Sequence, residues 1–173
     1  GARLQELAAA SYALALACAM SGDEAGTREA AARGREMSRR SGDALFLAPC
    51  DMAEGVLELS LGRLGPAAEL LVSAADRMHG LGVVEPSLWP VSTFAVEAAV
   101  DARRLDDAAR IATRLESVHA RRPTPWTTGA TTMTRALLLE SEGRLEEAAA
   151  LLADHGSPSP VERLRALTRL GSL

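Results

Sequence analysis

The 173-residue chain contains no lysine, and all nineteen of its basic residues are arginine. A Walker A phosphate loop, a pyridoxal Schiff base and a catalytic lysine are therefore excluded from this segment. Aromatic residues make up only 3%, and isoleucine occurs once, at Ile111. That palette is poor for strands and excludes an all-β fold. Cysteine is limited to Cys18 and Cys50, too few for a disulfide framework or a zinc site, and both read as buried free thiols. The longest nearly apolar stretch, Leu7 to Met20, falls short of the roughly 18 residues of a membrane span. It has the length of a signal-peptide core, but Glu6 precedes it and it keeps phase with a repeat, so a buried first helix and a cytoplasmic, non-membrane chain are expected. The 19 basic and 23 acidic residues leave a net charge of -4, the wrong sign for gripping phosphates, so no direct nucleic acid contact is expected.

Alanine and leucine dominate what is present. With 47% hydrophobic and 24% charged residues, the chain can bury a core and suits close helix packing, which makes it all-α. Self-comparison reveals a repeat. Gly143-Arg144-Leu145 followed by Glu146-Glu147-Ala148 recurs as Gly62-Arg63-Leu64 with Gly65-Pro66-Ala67, as Arg103-Arg104-Leu105 with Asp106-Asp107-Ala108, and more weakly as Gly22-Asp23-Glu24. These turns start at 22, 62, 103 and 143, which are 40, 41 and 40 residues apart.

Each unit reads as two helices around its turn. Apolar residues at helical spacing precede it, as in Met133, Leu137 and Leu138, and follow it, as in Leu145, Ala148, Leu151 and Leu152. Gly62 and Gly143 suit the left-handed conformation that ends a helix, and Asp106, Asp107, Glu146 and Glu147 suit the start of the next. Arg39, Arg40, Arg77, Arg121 and Arg122 fall in the last turns of second helices, where cations complement the carbonyl ends. Pro49 and Pro90 each stand 13 residues before a turn, marking a helix start or a kink. Ser159-Pro160-Val161-Glu162 predicts a capping box and a ninth helix from about 160 to 171. One helical-repeat domain, 1–173, is expected, with units of approximately 3–41, 43–82, 85–122 and 125–156 and a half unit 160–173. It reads as a piece of a longer array, with Leu164, Leu167, Leu170 or Leu173 exposed at its end and self-association through end helices as the consequence.

The small and large residues around the turns resemble the tetratricopeptide repeat, through Ala136, Leu139, Ala148, Leu152 and Pro160 in the fourth unit and Gly55, Ala67, Leu71 and Ala74 in the second. The repeat period here is longer than that family's, which is about 34 residues. The resemblance implies a right-handed superhelix of about nine helices in antiparallel hairpins. From Gly82 to Gly171 the chain also resembles the helical region of the large ATP-binding LuxR-family transcriptional regulators, common in actinobacteria. The likeness rests on Glu85-Pro86-Ser87-Leu88-Trp89-Pro90, Val96-Glu97-Ala98-Ala99-Val100, Leu105-Asp106-Asp107-Ala108, Pro125-Trp126, Arg135-Ala136-Leu137-Leu138 and Pro160 to Leu167. It implies signal sensing and transcription regulation by protein–protein interaction. The ATPase and helix-turn-helix modules of such regulators would lie outside this segment. A stand-alone scaffold for an unrelated complex is the alternative.

Tetratricopeptide-like arrays bind on a concave face lined by first helices. By repeat phase that face comprises Tyr12, Leu16 and Met20, then Met52, Val56, Leu59 and Ser60, then Thr93, Glu97 and Asp101, then Met133, Leu137, Glu140 and Ser141. Its methionines suit varied partners and its acids a cationic one. The expected partner is another domain of a parent regulator, a separate protein or a small effector. Asp76 with His79 and Glu116 with His119 repeat a carboxylate–histidine spacing seen in di-iron bundles, but nothing places the further glutamates such a site needs, and helix-end histidines suit the dipole. His155 beside Asp154 reads the same way, and Trp89 and Trp126 as fillers between hairpins. No nucleophile lies in a G-x-S-x-G turn. No catalytic residue, cofactor or metal is therefore expected.

Overall fold

The computed structural model describes residues 2–83, 90–153 and 160–171. Every element among them is a helix: α1 Ala2–Ser21, α2 Glu24–Ser41, α3 Leu47–Ser60, α4 Leu64–Gly80, α5 Val91–Asp101, α6 Leu105–Arg121, α7 Pro125–Ser141, α8 Leu145–Ala153 and α9 Pro160–Leu170. The protein is all-α, and the chain divides into two compact units, 1–83 and 84–173.

In the first unit α1 pairs with α2 and α3 with α4, and α3 also packs on both α1 and α2. Sequence explains the closeness. Side chains press onto bare glycine backbone where Gly34 of α2 faces Cys50, since a Cβ there would stand 2.6 Å from the Cys50 Sγ, and where Gly55 of α3 would put one 2.6 Å from the Leu71 Cγ. Alanines fill the seam, with Ala15, Ala30, Ala31 and Ala53 around Cys50, and Tyr12 and Leu16 half-buried against them. By length and composition α1, at 20 residues, would suffice to cross a membrane. That exceeds the apolar stretch read from the sequence, but its Ala8, Ser11, Ala15 and Ala19 are buried in the fold.

The second unit repeats the plan. α5 pairs with α6 and α7 with α8, α7 packs on both α5 and α6, and α9 packs on α8. The turns share one hydrogen-bond pattern, seen where the Gly143 N–H reaches Glu140 O at 2.9 Å and the Arg144 N–H reaches Leu139 O at 2.9 Å. This pair of bonds captures orphan carbonyls at the helix end and needs a left-handed residue between them. Glycine supplies it at 22, 42, 62, 82 and 143, whereas Arg103 adopts φ 60° in the α5–α6 turn.

The helix starts refine the expectations. Pro49 sits in the first turn of α3 and Pro90 is the N-cap of α5, so both mark starts rather than kinks. The first units of these helices lack a side-chain cap, while Asp23 caps α2 and Thr124 with Thr127 closes a capping box ahead of Pro125 on α7. The capping box read at Ser159–Glu162, the Glu85–Trp89 marker, His155 with Asp154, and Leu173 lie outside the described residues or side chains. Cys50 is buried as expected, but Cys18 is only half-buried.

Candidate functional site

Four of the residues singled out from repeat phase come together in the second unit. On α5, Thr93, Glu97 and Asp101 stand four apart and so form one line down the helix. Glu140, near the end of α7, brings a third carboxylate to them through a shared partner. That partner is α9, whose Arg165 and Arg169 are also four apart. Arg165 pairs with Glu97, donates to the Thr93 hydroxyl at 3.5 Å and lays its guanidinium 3.7 Å above the centre of the Phe94 ring. Arg169 reaches Asp101 at 2.8 Å and forks onto both oxygens of Glu140 at 2.7 and 2.8 Å.

The electrostatics favour a cation here. The five charged side chains are between 16% and 23% exposed, so water screens them less than it screens surface pairs. Burial alone would pull the Arg169 guanidinium down, yet the hydrogen bonds it donates to Asp101 and Glu140 outweigh it and hold it above its ordinary value. Three carboxylates meet two guanidinium groups, leaving one negative charge in excess. Stacking on Phe94 adds a planar contact that an arginine satisfies and a lysine does not match.

The remaining phase-matched residues do not join this surface, and several correct the expectation of a single open face. Met52 and Met133 are buried in the core, and so is Thr93 apart from its hydroxyl's contact with Arg165. Val56 and Leu137 are buried as well. The physical reason is that a first helix such as α3 packs on three neighbours, which covers nine of its 14 residues. Tyr12 is half-buried, and burial, reinforced by Cys50, pushes its hydroxyl up to about 12. Met20 and Ser60 are exposed, while Ser60 and Ser141 turn their hydroxyls back onto Leu57 O and Leu138 O. Among the described contacts, Tyr12, Met20, Met52, Ser60, Met133 and Ser141 share no hydrogen bond with the Glu97, Asp101 and Glu140 group.

Sequence reasoning missed Arg165, Arg169 and Phe94. The signal was present as Arg-x-x-x-Arg on a helix, matching the four-residue step from Glu97 to Asp101. In the first unit it missed the carboxylates of α3. Arg35 forks onto Glu54 at 2.9 and 2.7 Å and reaches Asp51 at 3.0 Å, which also holds Arg77 at 3.0 Å. Glu58, only 5% exposed, lies between Arg28 at 2.7 Å and Arg63 at 3.3 Å. Beside this network burial raises the Cys50 thiol to about 11, despite the nearby Arg35 charge.

Among the described residues no three of His, Cys, Asp and Glu are placed to hold a metal. His119 shares a 3.0 Å hydrogen bond with the Thr127 hydroxyl at the α7 cap. An open groove of about 690 Å³ in the second unit is lined by Glu116, Arg135, Leu151 and the Arg144–Glu147 pair. Comparison with known proteins finds no matching family model, no similar curated protein and no similar solved structure.

Proposed function

We propose that this chain is a protein-interaction and effector-sensing array, a regulatory segment of a LuxR-type ATP-dependent transcription regulator acting in the cytoplasm, and not an enzyme. In this reading the helices form a tetratricopeptide-like right-handed superhelix. Support for the array comes from the packing order, in which the first helix of a hairpin lies on both helices of the hairpin before it, as α3 does on α1 and α2 and α7 on α5 and α6. Solenoids are built from that step. Support for the interaction role comes from one observation above all. The α5 and α7 carboxylates already hold an arginine-bearing helix. A surface that recognises a helix by charge and stacking, with no metal cluster among the described residues, fits contact rather than catalysis.

Two measurements test this. The gene on either side of the segment is expected to encode a phosphate-loop module upstream and a helix-turn-helix downstream. Absence of both overturns the regulator assignment in favour of a stand-alone scaffold. The purified chain is expected to show no ATP hydrolysis and no retention of duplex DNA, since it has no lysine and carries a net charge of -4. Turnover of ATP by this chain would overturn the reading.

A further inference from the structure

The helix that fills the acidic surface of the second unit is attached to it in an unusual way. Leu164 and Leu167 of α9 are 65% and 62% exposed, and the one fully buried apolar side chain among those described on this helix is Ala166. By contrast α5 buries eight of its 11 residues. Among the described side chains, apolar burial on α9 is limited to Ala166, the half-buried Leu170 and the packing of this helix on α8. Its grip on α5 and α7 is the pair of arginine networks, to Glu97, to Asp101 with Glu140, and over Phe94. Ion pairs this far buried are screened by salt less than surface pairs, and their geometry can be reproduced by a helix that presents the same two guanidinium groups.

We propose that the surface formed by Phe94, Glu97, Asp101 and Glu140 is a docking site for a basic amphipathic helix of a partner protein carrying two arginines one turn apart, and that α9 is its built-in competitor. This deepens the interaction role proposed above and rests on it. Charge complementarity selects the partner: the surface has three carboxylates for two guanidinium groups, so it remains attractive to a cation even when matched by α9. The four-residue step from Glu97 to Asp101 selects the spacing, and the Phe94 face selects arginine over lysine. A partner engages by displacing α9, which couples docking to release of that helix and of its exposed leucines.

The test uses a fluorescent peptide of residues 160–171, a helix known to fit, against the full chain. A tethered competitor acts at an effective concentration on the order of millimolar. Removing its grip with Arg165→Gln and Arg169→Gln is therefore expected to tighten peptide binding, read by anisotropy, by at least about tenfold relative to the unmodified chain. Adding Glu97→Gln, Asp101→Asn and Glu140→Gln to that chain is expected to abolish binding, as is exchanging the positions of Arg169 and Leu170 within the peptide. If the arginine variant loses its helical circular dichroism, the unmodified chain with excess peptide reads the same competition, as faster amide exchange over 160–171. Equal binding by the unmodified and arginine-variant chains, or binding that survives neutralised carboxylates, overturns the proposal. An unmodified chain that sediments as a dimer and is dissociated by the peptide would assign the surface to the α9 of a second copy and likewise overturn it. Failure of the peptide to bind removes this site alone, whereas loss of the flanking regulatory modules from the gene removes the regulator assignment and leaves the docking result standing.

Discussion

Residues 2–83 and residues 90–171 are built from the same hairpins, and they neutralise the acids of their first helices by different routes. In the first unit the carboxylates of α3 are met by arginines from its chain neighbours: Arg28 and Arg35 on α2, Arg63 at the start of α4 and Arg77 within it. In the second unit Glu97 and Asp101 of α5 are met from α9, 68 residues away. Local supply closes the first network between neighbouring helices, with Arg28, Arg63 and Arg77 still 43–47% exposed. Distant supply makes the second conditional on one helix staying in place. The turns differ too, because glycine holds each left-handed position in the first unit while Arg103 holds one in the second.

The largest effects should come from testing how packed each region is. Leu71→Ala in the first unit removes a fully buried side chain and is expected to cost about 2–5 kcal/mol, measured by urea unfolding. Leu164→Ala on α9 is expected to change stability by less than about 0.5 kcal/mol. Equal losses would erase the distinction between a packed core and an ionic latch. Next in size, Gly55→Ala places a Cβ 2.6 Å from the Leu71 Cγ and should cost about 1–3 kcal/mol through overpacking. A neutral result would mean α3 and α4 separate easily.

The turn contrast can be reversed by substitution. Arg103→Gly relieves a left-handed arginine and is expected to stabilise the chain by about 1 kcal/mol, while Gly143→Arg should destabilise it by a similar amount. Thermal melts of the two variants moving in the same direction would contradict this account. Cys50 and Cys18 sharpen the comparison of buried and half-buried positions. With its thiol raised to about 11 by burial, Cys50 should react with an aromatic disulfide reagent far more slowly than Cys18 in the native chain, and at the same rate as Cys18 after denaturation. The smallest effect concerns Glu24, whose hydrogen bonds to Arg63 and then Arg28 lower its carboxyl to about 2 from 4.5. A lowered folded-state value adds stability above the unfolded value, so that contribution is complete above about pH 4.5 and disappears as the pH falls through about 2. The Glu24 side chain is 41% exposed, so Glu24→Gln should flatten the acid limb of the stability curve only slightly, and less still in high salt.

The helices and their turns were legible because they are local. A turn at 62, 103 or 143 announces itself through a residue fit for the left-handed conformation and acids fit for a helix start, and both act within a few residues. The helix from Pro160 was legible for the same reason. The candidate face was only partly legible. Repeat phase placed Glu97, Asp101 and Glu140 on one surface, but it placed Met52, Thr93 and Met133 there as well, and these are buried. Periodicity reports which residues share a line along a helix. It does not report how many neighbours cover that line.

The amino-acid sequence by itself determined an all-helical chain, its period near 40 residues, its helix ends and its lack of lysine chemistry, since composition and near-neighbour preferences decide these. Only the tertiary structure decided which first-helix positions are core, which arginine answers which carboxylate, and that α9 lies in the surface expected to await a cation. Those pairings join residues up to 68 positions apart. The Arg-x-x-x-Arg step of Arg165 and Arg169 also occurs at Arg35 and Arg39 and at Arg110 and Arg114, so it does not single them out until packing brings α5, α7 and α9 together, and the energy of a charge pair depends on the distance and burial that packing alone sets.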